Sequence, residues 1–187
     1  MDQIISDYAV DTNKVYACGM SNGGFMSMSL ACHLSDRIAA AATVTGIMGL
    51  EPDTYCSDAR PTAIMLIGGT GDPIVPYEGG EISDNGSFTV GFQEAFEFWR
   101  DQNNCLDEVE DEDWADMDSN DGTTVTTHKH TSCDSSVTVI LYEVNDMGHT
   151  WPQGQQYLRE KRIGKVTQEF NGALEIATFF LQFELKE

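Results

Sequence analysis

Gly19-Met20-Ser21-Asn22-Gly23 fits the pattern G-x-S-x-G, in which a serine sits at the tip of a sharp turn between a strand and a helix. Such a turn lifts the hydroxyl clear of the sheet. The N-terminus of the helix behind it favours the negative charge that develops when a serine attacks a carbonyl. Gly19 and Gly23 are expected at close contacts, where a side chain would collide with the neighbouring strand or helix. The Asn22 backbone N–H is then available to hold the oxyanion of a tetrahedral intermediate. A glycine-rich strand-to-helix turn without chemistry can use the same residues. A phosphate loop would require a following Gly-Lys-Ser/Thr, which is absent.

A nucleophilic serine needs a base, and the base needs an acid to orient it. In this arrangement the chain order is Ser, then Asp or Glu, then His. "IMLIGGTGDPIVPY" places Asp72 directly after an apolar strand, and "VILYEVNDMGHTWPQG" places His149 just after the last one. Both fall at the carboxyl edge, where open α/β sheets gather their ligands. His33 falls in the helix after the serine turn. His128 and His130 share one face of an exposed strand with no third metal ligand nearby, and read as surface histidines. Asp146 is a rival acid, but three residues before His149 it is better suited to shaping that loop.

The elements that must position these residues alternate along the chain. "DQIISDYAVD" reads as the end of a helix, "KVYACG" as a strand, and Asn22 to about Leu34 as a helix of small residues. "IAAAATVTG" and "TAIMLIGG" are continuous apolar runs, as in parallel strands covered on both faces. "FTVGFQEAFEFWRDQN" has helical periodicity, and "TTVTTHKH" alternates like an exposed strand. "SVTVILYEVN" is a further strand and "NGALEIATFFLQFEL" a final amphipathic helix. Strand–helix alternation over 187 residues predicts one α/β domain, 1–187, with a mostly parallel sheet flanked by helices.

Composition narrows the function classes. A formal charge of −21 repels phosphate backbones, so nucleic acid is not an expected partner. No run of eighteen apolar residues is present, and no membrane span is expected. Residues 107–121, "DEVEDEDWADMDSND", read as a solvated acidic loop. The calcium-loop template fails there, because counting from Asp116 puts glycine seventh and Thr127 where the closing Glu belongs. Five cysteines form no C-x-x-C pair, so no zinc or other metal site is expected. Two disulfides and one thiol would suit an exported protein, although spacing alone leaves the connectivity open. The start "MDQIISDYAV" has no signal-peptide pattern.

"GMSNGG", "GTGDPIVPYEGG" and "GHTWPQG", in that order, resemble the polyhydroxybutyrate depolymerase and feruloyl esterase group of α/β-hydrolases, related to carbohydrate esterase family 1. The resemblance runs from about Ile4 to the C-terminus. It implies an α/β-hydrolase-type fold and a serine esterase with Ser21 as nucleophile, Asp72 as orienting acid and His149 as general base, with no cofactor. Substrates would be short-chain acyl esters, feruloyl or acetyl groups on polysaccharide, or hydroxyalkanoate oligomers. Trp151 resembles a pocket-lining position, and its alternative role is a plug packing the histidine loop. The resemblance also implies the disulfides Cys32–Cys56 and Cys105–Cys133, with Cys18 a buried thiol beneath the serine turn, and a secreted or periplasmic location. Gly68-Gly69-Thr70 departs from the group's usual His-Gly-Thr. Only twenty residues precede Ser21, so the fold is expected to be N-terminally truncated, without the loop that gives the second oxyanion donor. The strand before Ser21 would then form an open edge, to be covered in a homodimer. The alternative is a catalytically weak or inactive remnant that serves as a binding or scaffold domain.

Overall fold

The computed structural model describes residues 1–56, 59–83 and 86–185. In chain order the elements are α1 (Asp2–Asp7), β1 (Tyr16–Met20), α2 (Asn22–His33), β2 (Ala40–Val44), α3 (Pro52–Cys56) and β3 (Ala63–Gly69). They continue with β4 (Gly80–Glu81), β5 (Phe88–Thr89), α4 (Phe92–Gln102), β6 (Glu110–Asp113), β7 (Thr124–His130), β8 (Val139–Asn145), α5 (Glu160–Ile163) and α6 (Gly172–Phe180). Six strands form one sheet in the order β1-β2-β3-β8-β7-β6. The first four run parallel, and β7 and β6 are added antiparallel. This is the expected mostly parallel sheet with helices on its faces.

Every residue of β2 and β3 is buried, which explains their unbroken apolar runs. Side chains still alternate between two cores. Ala41, Ile64, Leu66 and Leu141 face a layer holding Met28 of α2 and Phe92, Phe96 and Trp99 of α4. Ala42, Met65, Ile67, Ile140 and Tyr142 face the opposite layer with Phe170 and Ile176, Phe179 and Phe180 of α6. Ala41, the small β2 residue on that face, lets α2 lie close to the sheet. Gly24 completes that approach, since a Cβ there would stand 2.2 Å from Thr43 Oγ1. Asn171 caps α6 by accepting the Leu174 N–H at 3.0 Å.

Several expectations change. The acidic 107–121 segment is not all loop: Glu110–Asp113 is the edge strand β6, paired with β7. Four adjacent acids on an outer strand are tolerated because both faces meet water, and charge there discourages edge-to-edge pairing. For the same reason β7 is not an exposed strand; it lies between β6 and β8. His130 is buried, stacked on Phe96 with ring centroids 4.8 Å apart, and its Nδ1 lies 3.1 and 3.0 Å from the carbonyls of Leu106 and Glu108. It is no surface histidine. The helical pattern at 88–103 becomes helix only from Phe92, because Phe88–Thr89 pair with Gly80–Glu81 first. α1 is helical but buries none of its residues.

The structure joins Cys32 to Cys56 and Cys105 to Cys133. Cys18, expected to be buried, is an exposed free thiol. Cys18 points to the face of β1 opposite buried Ala17. There its neighbours Tyr16, stacked on Phe180, and Met20 pack against the second core layer, while the thiol between them reaches solvent.

Candidate active site

Ser21 follows β1 immediately and serves as the N-cap of α2, with φ 55 and ψ −122. A side-chain-bearing residue in that region is strained by about 1–3 kcal/mol, so the surrounding contacts must hold it there. The Ser21 N–H donates to the Val44 carbonyl at 2.9 Å, and the Ser21 carbonyl accepts from the Phe25 N–H at 3.0 Å. Gly46, after β2, lies so close that a Cβ there would be 2.3 Å from the Ser21 carbonyl oxygen. Gly19 meets the expectation of crowding: its Cβ would stand 2.4 Å from the Gly23 backbone. Gly23 does not, since a Cβ there would meet nothing within 4 Å.

Asp72 lies in the loop after β3, and His149 in the loop after β8. These strands are adjacent, in a register that pairs Gly69 with Val144. The two side chains meet at Asp72 Oδ2–His149 Nδ1, 2.8 Å, and both are almost wholly buried. Asp72 Oδ1 accepts the N–H groups of Ile74 at 2.7 Å and Val75 at 3.0 Å. An ionised carboxylate can only accept, so Nδ1 must carry the proton. In the neutral imidazole the lone pair is thereby assigned to Nε2, the atom able to act as a base.

The His149 loop is fixed independently. Its N–H donates to the Ile163 carbonyl, and the Gly148 N–H donates to Lys165. Tyr157 donates its hydroxyl to the His149 carbonyl at 2.9 Å. Partial burial, and the Asp72 carboxylate after it, push the Tyr157 hydroxyl above the usual phenol range, so it remains a donor at neutral pH. Asp146 does not take the acid's place. Its carboxylate lies 3.5 Å from Lys165 Nζ, and its N–H donates to Thr70 Oγ1 at 2.9 Å, so it shapes the loop.

Ser21, Asp72 and His149 thus stand on one carboxyl edge, at the ends of β1, β3 and β8. The acid and the imidazole are joined; among the described residues no hydrogen bond links Ser21 Oγ to the imidazole. The Asn22 N–H is the first amide of α2, next to Ser21. Trp151 is half-buried and packs against the core beneath α6, its Nε1 beside Gly172 and its ring next to Pro152. His33 is exposed at the end of α2, and His128 Nδ1 lies 2.8 Å from Asp111 on β6.

Thr45 and Gly46 were not singled out from sequence. Thr45 has φ 48, uncommon for a β-branched residue, and its buried hydroxyl has no hydrogen-bond partner among the described residues. Thr45 follows β2, between the serine turn and the Asp72 strand, with its N–H on the Ile67 carbonyl. Only the glycine after "TVT" hinted at a tight turn. Among the described residues no group of three or more His, Cys, Asp or Glu is placed to hold a metal.

No protein-family model matches the chain. It is similar to individual esterases. A Nocardia uniformis subsp. tsuyamanensis protein whose name carries the word esterase is 26% identical over 97% of this chain and 55% of its own length. Feruloyl esterase B of Piromyces equi is 31% identical over 82% of this chain and 28% of its own. The bifunctional acetylxylan esterase/xylanase XynS20E of Neocallimastix patriciarum is 24% identical over 80% of this chain and 20% of its own. The chain spans about half or less of the length of these relatives. Together they are consistent with a feruloyl esterase-like hydrolase group, and their likeness fits the α/β-hydrolase type of sheet.

Proposed function

We propose that this chain, similar to feruloyl and acetylxylan esterases, carries the serine chemistry of a carboxylic ester hydrolase. The observation that supports this most is the Asp72–His149 hydrogen bond at 2.8 Å, on the same sheet edge as a serine in a strained strand-to-helix turn. His149 Nε2 removes the Ser21 hydroxyl proton as Oγ forms a bond to the ester carbonyl carbon. The carbonyl π electrons move to oxygen, and the Asn22 N–H donates to that oxyanion. Collapse breaks the bond to the leaving alcohol, which takes the proton from the imidazolium. Water, deprotonated by Nε2, then attacks the acyl-serine; Ser21 leaves as the alcohol and a carboxylic acid is released. Asp72 holds the tautomer throughout and stabilises the imidazolium.

Feruloyl or acetyl esters on polysaccharide and other short acyl esters, hydroxyalkanoates included, are the substrates proposed. The two disulfides support an extracellular or periplasmic setting. β1 is an open parallel edge, which supports a homodimer or another covering segment there. A monodisperse monomer in light scattering at micromolar concentration would count against the homodimer.

A second reading, a non-catalytic remnant acting as a binding domain, is favoured by the missing Ser21–imidazole hydrogen bond and the single oxyanion donor identified. Labelling with a fluorophosphonate probe, located by mass spectrometry, separates the two. Modification of Ser21 that is lost in His149→Ala is expected of the esterase. An unlabelled Ser21, with equal p-nitrophenyl acetate hydrolysis by wild type and Ser21→Ala, would support the remnant.

A further inference from the structure

The parallel strands also share an amino-terminal edge, about 20 Å along the strands from the one that carries Ser21, Asp72 and His149. A cavity of about 240 Å³ opens there, between residues that lead into the strands and the segment that follows α6. Its floor is buried Ser35, Ala39 and Val137, and its rim carries Lys14, Arg60, Ser136 and Gln182. The chain has ten Lys and Arg against 31 acids, yet two of those cations meet at this opening, with Glu184 as the one carboxylate in the wall. Asp11 and Glu184 lie 3.7 and 3.8 Å from the Lys14 ammonium. Both contacts are too long for hydrogen bonds, so neither uses its three N–H donors. A guanidinium has five donors, and Arg60 can therefore serve more than one partner at a time. An anion is drawn to this opening on a chain whose overall charge repels it.

The neutral groups in the wall suit hydroxyls. Ser35 Oγ accepts the Arg60 N–H at 2.9 Å, which leaves its own O–H to donate. Ser135 and Ser136 enter the wall on a tight turn, with φ of 56 and 58. That turn is anchored by Cys133, which is bridged to Cys105 and accepts the Ser136 N–H. Gln182 donates its side-chain N–H to the Thr178 carbonyl at 3.1 Å and so keeps its amide oxygen as an acceptor. Ala39, Val137 and Pro61 supply an apolar patch for the C–H face of a ring. At roughly 30 Å³ per water, the space equals about eight waters, which suits one ring of about a dozen non-hydrogen atoms.

We propose that this cavity binds a hydroxylated carboxylate the size of one sugar ring, its carboxylate on Lys14 and Arg60 and its hydroxyls on Ser35, Ser136 and Gln182. The site stands apart from the serine chemistry, at the opposite edge of the sheet, and does not depend on the esterase reading. Sodium glucuronate is the probe, titrated into the ¹⁵N-labelled chain and followed by amide chemical shifts. Saturable shifts are expected at Ser35, Arg60 and Ser136, with the same affinity in wild type and Ser21→Ala. Glucose, which lacks the carboxylate, and acetate, which lacks the ring, should each bind at least tenfold more weakly, as should inorganic phosphate. Arg60→Gln should weaken glucuronate binding at least tenfold. Lys14→Gln is the second variant, with a similar loss expected, should Arg60→Gln lose the native spectrum. No saturable shift, an affinity unchanged by both variants, or glucose or phosphate binding as tightly as glucuronate would overturn the site. Binding lost in Ser21→Ala would also overturn it, by placing the probe at the serine edge.

Discussion

The two halves of the candidate site are built to different degrees. At the β3–β8 seam, strands flank both members of the acid–imidazole pair. Asp72 is held by two backbone N–H groups and His149 by backbone and tyrosine contacts. At β1 the serine stands on an outer strand, with open space beside Gly23 and an exposed thiol at Cys18. Polar groups inside a sheet must be satisfied by protein, whereas those at an edge can rely on water or on a second chain. The interior half is therefore preorganised, and the edge half is held mainly by backbone contacts from α2 and Gly46.

The largest effect expected from breaking this contrast is at the interior pair. Asp72→Asn keeps the shape but presents a donor, or a weaker acceptor, to Nδ1, favouring the wrong tautomer. Ester hydrolysis should drop about 10³–10⁴-fold while the melting temperature changes little. A loss under tenfold in steady-state kinetics would show that the pair does not orient the base. Next comes the Cys105–Cys133 bridge, which closes the acidic excursion carrying edge strand β6. Replacing both cysteines with serine should cost about 2–4 kcal/mol in urea unfolding, with residues 106–132 losing amide protection first.

At the edge half the two motif glycines should part company. Gly19→Ala drives a methyl into the Gly23 backbone and should destabilise by about 1–3 kcal/mol. Gly23→Ala meets open space in the first turn of α2 and should be neutral, or stabilise by about 0.5–1 kcal/mol. Equal destabilisation by both would mean that the Gly23 flank is covered in solution. The smallest effect is at Cys18, whose thiol pKa is raised by desolvation. Alkylation by iodoacetamide should proceed without unfolding but need a pH above the ordinary thiol range. A rate already at its plateau near pH 7 would contradict that environment.

How much was legible followed the range of the interaction involved. The apolar runs at 38–46 and 62–69 were readable as strands because burial on both faces leaves an unbroken hydrophobic signature. The three loops holding Ser21, Asp72 and His149 were readable because turn chemistry is local. The β6 strand was hidden: Glu110–Asp113 carry no apolar alternation, and they pair because β7 offers a free edge. His130 looked like a surface residue because its burial comes from Phe96 and the 106–108 carbonyls, none of them near in sequence.

By itself the sequence determined the order of the central strands and longer helices, the tight serine turn and the placement of an acid and a histidine after buried strands. Each depends on hydrophobic period or on glycine within a few residues. The tertiary structure alone decided that Asp72 and His149, 77 residues apart, share a hydrogen bond. It also decided that β1 ends the sheet and that Cys18 meets solvent. Those depend on which strands become neighbours, a property of the whole packed core that no local pattern encodes.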